Sequence, residues 1–75
     1  MKSWEERFVK EYFELKDRTE KLGNMLSAYL ADELNFTPNC SYNLLHEQYV
    51  YMKNYLDVLK RRAIIECIDL KENDK

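Results

Sequence analysis

Acid–base or nucleophilic chemistry in this sequence would have to pass through one imidazole. His46 is the sole histidine, with the Ser41 and Tyr49 hydroxyls about one helical turn away. A working triad also needs an oriented base and an oxyanion pocket. The residues around His46 supply no glycine-rich turn to build one, so His46 reads as a surface residue and the chain as a non-enzyme. Metal ligands fare no better. Cys40 and His46 lie six apart, Cys67 is far along the chain, and no H-x-x-x-H or E-x-x-H pair puts two ligands on one helical face. Both cysteines read as small hydrophobes, and no metal or cofactor is expected.

Stacking and phosphate binding are better supplied. Six tyrosines and Trp4 are a heavy aromatic load for 75 residues. Tyr12 and Tyr29 fall in the first half, and Tyr49, Tyr51 and Tyr55 in the second. Rings on a helical stripe first of all pack, with the hydroxyl left wet. The alternative is a set of platforms for nucleobases, worth about 1–3 kcal/mol per base. Basic residues gather as Lys16, Arg18 and Lys21, and again as Lys60, Arg61 and Arg62. Successive helical side chains point about 100° apart, so the second trio cannot all serve one site. In an antiparallel pair of helices, Arg62 would come near Lys10 or Arg7 and could grip a phosphate with its two-pronged guanidinium.

Two long helices are needed to carry these side chains. Ser3 and Glu6 fit a capping box, and a spacing of three and four runs through Phe8, Tyr12, Leu15, Thr19, Leu22, Leu26 and Tyr29. The stripe keeps its phase across Gly23-Asn24, which predicts one helix over about 4–33, with the glycine free to admit a close neighbour. The break at 34–39 contains Pro38, suited to a first helical turn, with Thr37 as its cap and Ser41 as the competitor. The second helix then runs over about 38–68, and the β-branched run 63–68 is kept helical because a lone strand would have no partner. The residues 71–75 read as a polar tail.

The second helix carries two apolar lines. One is Leu45, Tyr49, Met52, Leu56, Leu59 and Ala63, and the other is Leu44, Tyr51, Tyr55, Val58 and Ile65. A hairpin partner covers only one of them. A single domain this small also has a marginal core, and two cysteines cannot make a disulfide framework. The predicted fold is therefore all-α: an antiparallel two-helix hairpin, residues 1–75, that assembles into a homo-oligomeric helical bundle. Net charge is −2, with 35 % charged residues of both signs, which speaks against DNA or another polyanion as partner. The charged opening Trp4-Glu5-Glu6-Arg7 does not resemble a signal peptide and no apolar run suggests a membrane span, so a cytoplasmic location is expected.

The helical patterns carry a family resemblance. The first is Trp4-x-x-Arg7-Phe8-Val9-x-Glu11-x-x-x-Leu15-x-x-Arg18-x-x-Lys21-Leu22. The second is Leu44-Leu45-x-x-Gln48-x-x-x-Met52-x-x-Tyr55-x-x-Leu59-x-x-Arg62. Together, over about residues 4–65, they resemble the helical hairpin domain of phage anti-CBASS and anti-Thoeris proteins. That resemblance implies a homo-oligomer, a hexamer in preference to a dimer. It also implies sequestration, without cleavage, of the cyclic di- or trinucleotides, or cyclic ADP-ribose derivatives, that switch on bacterial defence. By the same resemblance Lys16, in Glu14-Leu15-Lys16 followed by Leu22-Gly23, is the first phosphate contact. Arg18 and Arg62 match positions at a trinucleotide site. Longer members place a base-stacking tyrosine upstream of the lysine; here Trp4 and Tyr12 are the alternatives for it. Apart from the resemblance, a small helical adaptor for a host or phage protein is the competing function.

Overall fold

A computed structural model describes residues 3–70; the expected polar tail at 71–75 lies outside the described residues. It contains two helices, α1 (Ser3–Leu30) and α2 (Tyr42–Glu66), and no strand among the described residues. They pack as an antiparallel hairpin: Gly23 of α1 meets Tyr49 of α2, and Phe8 lies under Arg62. The run from Ala63 stays helical to Glu66.

The first-helix stripe buries as its spacing requires. Phe8, Tyr12, Leu15, Thr19 and Leu26 are all buried, while Leu22 and Tyr29 are half-covered. Buried Thr19 would leave a hydroxyl unsatisfied, but its Oγ1 donates to the Leu15 carbonyl at 2.7 Å. On α2 only Leu59 and Ala63 are buried. These two meet Phe8, Tyr12 and Leu15 in a core at the open end of the hairpin, with Phe13, Met52, Leu56, Ile68 and Leu70 packed around it. The second apolar line of α2 is uncovered. Leu44 is 55 % exposed, Tyr51 63 %, Tyr55 44 %, Val58 40 % and Ile65 77 %. One hairpin covers one stripe, as the geometry of two rods demands.

Both helix ends differ from the sequence reading. The first helix stops at Leu30, not 33, because Asp32 turns left-handed (φ 59°). The Glu33 amide then reaches the Ala28 carbonyl at 2.8 Å and the Asp32 amide reaches that of Tyr29 at 3.1 Å. This pair of bonds is a Schellman cap, built without glycine. The second helix begins at Tyr42, not 38. Ser41, extended at φ −69° and ψ 158°, is the N-cap, and its hydroxyl accepts from the Leu44 amide. Thr37-Pro38 therefore belongs to the connection. Because α1 already includes Ser3, that residue sits inside the first turn and does not precede it.

A second Schellman cap ends α2 at Cys67, with φ 59° and ψ 37°. The Ile68 amide bonds the Ala63 carbonyl at 2.8 Å, and the Cys67 amide that of Ile64 at 3.3 Å. The turn sends Ile68 and Leu70 back onto the core. A side chain in the left-handed region costs about 1–2 kcal/mol, which glycine avoids. Cys67→Gly should thus stabilise the hairpin by about 1 kcal/mol, a rise of ~4–8 °C in the thermal midpoint. A fall in the midpoint would show that the thiol makes a contact worth more than the strain. Both Cys40 and Cys67 are exposed thiols, so neither fills the apolar role their residue type suggested.

Candidate ligand-binding cleft

The antiparallel crossing gathers lysines that are distant in sequence. Lys16 on α1 faces Lys53 and Lys60 on α2 across a cleft of about 350 Å³, floored by Tyr12, Thr19 and Leu56. Glu20 and Asp57 also border it, and Asp57 is paired with Arg61 at 3.0 Å. Lys53 Nζ lies 5.6 Å from the centre of the Tyr49 ring, and Lys16 Nζ 6.0 Å from that of Phe13, both within cation–π range. Three ammonium groups thus gather from two helices in a chain of net negative charge, alongside the Glu20 and Asp57 carboxylates.

Towards the connection the cleft continues into a second one, of about 420 Å³, sharing Glu20 and Tyr49 with the first. Its α2 wall is aromatic. Tyr42, His46 and Tyr49 line it, and with Tyr29 of α1, outside the cleft, they form a ladder with successive ring centres 5.5, 5.8 and 6.4 Å apart; His46 stacks nearly parallel on Tyr42 at 23°. Its α1 wall is mixed, with Glu20, Asn24 and Ser27 beside Leu26 and Leu30. Gly23 makes this shape possible: a Cβ there would stand 2.9 Å from Tyr49 Cε1 and 3.2 Å from its hydroxyl. The glycine admits a ring of its own chain, and α1 passes through it unbroken.

The expected site residues divide between two flanks of the hairpin. Lys16 and Arg18, Lys53 and Tyr55, and Lys60 and Arg62 are each two positions apart, so each pair points about 160° apart. Arg62 stands over the Phe8 ring at 5.0 Å. Lys10, its anticipated neighbour, is instead paired with Glu14 at 4.0 Å. Arg18 leans on the same Glu14 at 3.9 Å and remains exposed. Trp4 and Arg7 lie exposed in the first turns of α1. Tyr12 is wholly buried, with Phe13 edge-on to its ring at 5.2 Å, so it has no face left for a base. Lys16 alone of the six stands at the lysine cleft with its side chain accessible. Lys53 escaped the sequence reading; the signal was its place one turn from Tyr49 and two turns from Lys60 on the α2 flank that faces Lys16.

On the opposite flank the Tyr55 hydroxyl donates to the Glu11 carboxylate. That bond raises the Tyr55 phenol above its ordinary value; burial and the Glu11 charge add to the rise, and Arg62 opposes it. Beside this pair lies an open apolar groove of about 610 Å³ along Leu44, Gln48, Tyr51 and Met52. No helix among the described residues is long and apolar enough to cross a membrane.

Fold and cleft define a small α-helical hairpin protein with a cationic groove that passes into an aromatic one. The chain belongs to the Sequestin family, whose model matches residues 2–65. No curated protein and no solved structure gave a significant match.

Proposed function

We propose that the protein is a phage-encoded sponge. It binds cyclic oligonucleotide immune signals, or cyclic ADP-ribose relatives, in the cytoplasm of the infected bacterium and holds them uncleaved. The observation that carries this reading is the meeting of Lys16, Lys53 and Lys60 beside the Tyr49 ring. Phosphates want positive charge and bases want flat rings, and the cleft offers both within one protomer. The family name, which speaks of sequestration, and the resemblance to anti-CBASS and anti-Thoeris hairpins support it. The uncovered line of α2 supports a homo-oligomer, a hexamer in preference to a dimer. In such an assembly Arg62 and Tyr55 would face the neighbouring protomer.

Thermal melting with a panel of cyclic di- and trinucleotides and cyclic ADP-ribose variants tests this. A ligand held at a hundred times its Kd stabilises by about 2.7 kcal/mol, an upward shift of ~10–20 °C for a chain this size. Lys16→Ala or Lys53→Ala should each weaken capture about 10- to 100-fold, the loss of one charge-assisted contact, and leave assembly intact. Ligand released by denaturation should be recovered in cyclic form; a linear product would make the protein an enzyme. No shift with any member of the panel defeats the sponge reading. The apolar groove at Tyr51 favours one alternative, a helical adaptor that seats a partner helix. Recovery of one stoichiometric protein partner with no bound nucleotide would establish it.

A further inference from the structure

We propose that Gly23 is a positioning residue for ligand capture, seating the Tyr49 ring as the wall shared by the lysine cleft and the aromatic cleft; this rests on the sponge reading. Gly23 lies in the interior of α1, where glycine is the poorest helix former after proline. Its backbone does not call for glycine, because its φ is not positive. Tyr49 calls for it. A Cβ at position 23 would stand 2.9 Å from Tyr49 Cε1, 3.2 Å from the hydroxyl and 3.3 Å from Cζ, so its three nearest neighbours all belong to that one side chain. The ring is half-covered and, among the described residues, is not one of those packed on the core. A half-open ring returns less burial energy than a core ring, which makes stability a weak reason for the glycine. The place of the ring is a stronger one. Tyr49 lines both clefts, Lys53 Nζ stands 5.6 Å from its centre, and the His46 ring centre lies 6.4 Å away. One side chain thus gives each cleft a flat wall and a lysine its seat.

A methyl group at position 23 would move this wall without breaking the helix. Carbon atoms pack at about 3.5–4.0 Å, so Tyr49 would have to retreat from an alanine by roughly 0.6–1 Å. The atoms met are at the far end of a side chain with two rotatable bonds, so the ring swings and the backbone stays. Binding groups have to be held within about 0.5 Å of their productive place. The retreat exceeds that tolerance, and it carries off the surface under Lys53 as well.

The test is the affinity of the full chain for cyclic di-AMP, cyclic di-GMP, cyclic tri-AMP and cyclic ADP-ribose, in the parent, Gly23→Ala, Tyr49→Ala and the double variant. For each probe that the parent binds, Tyr49→Ala should weaken capture about 5- to 150-fold, the worth of one base–ring stack. Gly23→Ala should weaken it at least about 5-fold and keep the helicity of the parent. In the Tyr49→Ala background the same alanine should change affinity by less than about 2-fold. There it should raise the melting midpoint by ~4–8 °C, because only the gain in helix propensity is left. Parental affinity in either single variant overturns the positioning role. So does an alanine that weakens binding equally with and without the Tyr49 ring, since it would then act on the helix. A Gly23→Ala chain that no longer folds also overturns it and makes the glycine a packing residue. In all three cases capture by the parent stands, and the sponge with it. Failure of the parent to bind any of the four probes removes the sponge reading and this inference together.

Discussion

Leu59→Ala should leave the chain largely unfolded at 25 °C. Leu59 has no exposed surface and is where Phe8, Tyr12, Leu15 and Ala63 converge. Truncating a fully buried leucine costs ~3–5 kcal/mol, the lost transfer energy plus the cavity left behind. A core of this size supplies no more than about 3–5 kcal/mol in total. The loss is therefore comparable to the whole stability of the hairpin, and nothing else nearby can collapse into the gap in a two-layer structure. Ile64→Ala, at a position 76 % exposed, removes more surface from water contact than from packing and should change little. Circular dichroism on the two variants makes the comparison. A Leu59→Ala protein melting within a few degrees of the parent would mean that the stability resides outside the hairpin core.

The contrast between Leu59 and Ile64 follows the part of the fold that spacing makes legible. Apolar residues three and four apart name the buried face of α1 and the line of α2 that meets it. They do not name where a helix stops. At Asp32 and Cys67 the chain turns left-handed without glycine or asparagine, so the usual mark of a helix end is missing. At the start of α2 two caps compete, and Thr37-Pro38 is the more conspicuous in sequence. Ser41 prevails, its hydroxyl on the Leu44 amide at 3.2 Å. The bonds that decide these ends are local, but the residue types permit either outcome.

The cleft was legible in part for a different reason. Neighbours in sequence, such as Lys16 and Arg18 or Lys60 and Arg62, invite grouping, yet a helix sends them to opposite flanks. The useful grouping joins residues whose numbers sum to about 70, because antiparallel rods run their numbering in opposite directions. On that rule Lys16 belongs with Lys53, Gly23 with Tyr49, and Glu11 with Tyr55, which is how the structure joins them. Lys53 is invisible until the crossing is known. Tyr12 misleads for a related reason: a tyrosine on the innermost line of α1 is a core residue whatever its ring could do elsewhere.

Placing charge on the uncovered line of α2 should have the second large effect, on assembly and not on the hairpin itself. The line Leu44, Tyr51, Tyr55, Val58 and Ile65 repeats at alternating intervals close to three and four when Gln48 and Arg62 are counted within it, the pattern of a helix-packing seam. Tyr51 and Val58 are 63 % and 40 % exposed, two turns apart at the middle of that seam. Tyr51→Glu with Val58→Glu would oblige any helix seated there to bury two carboxylates without partners, a cost of several kcal/mol. The parent chain should sediment at micromolar concentration as a multiple of 9.2 kDa, with a melting midpoint that rises with concentration. The double variant should sediment as the 9.2 kDa protomer, still helical, with a lower midpoint independent of concentration. Neither residue lines the lysine cleft, so weak ligand binding by the separated protomer would place the signal site within one hairpin. Complete loss of binding would make a neighbouring protomer part of it. A parent chain that sediments as a stable single protomer would remove the argument, because the exposed line would then have no partner of its own kind to meet.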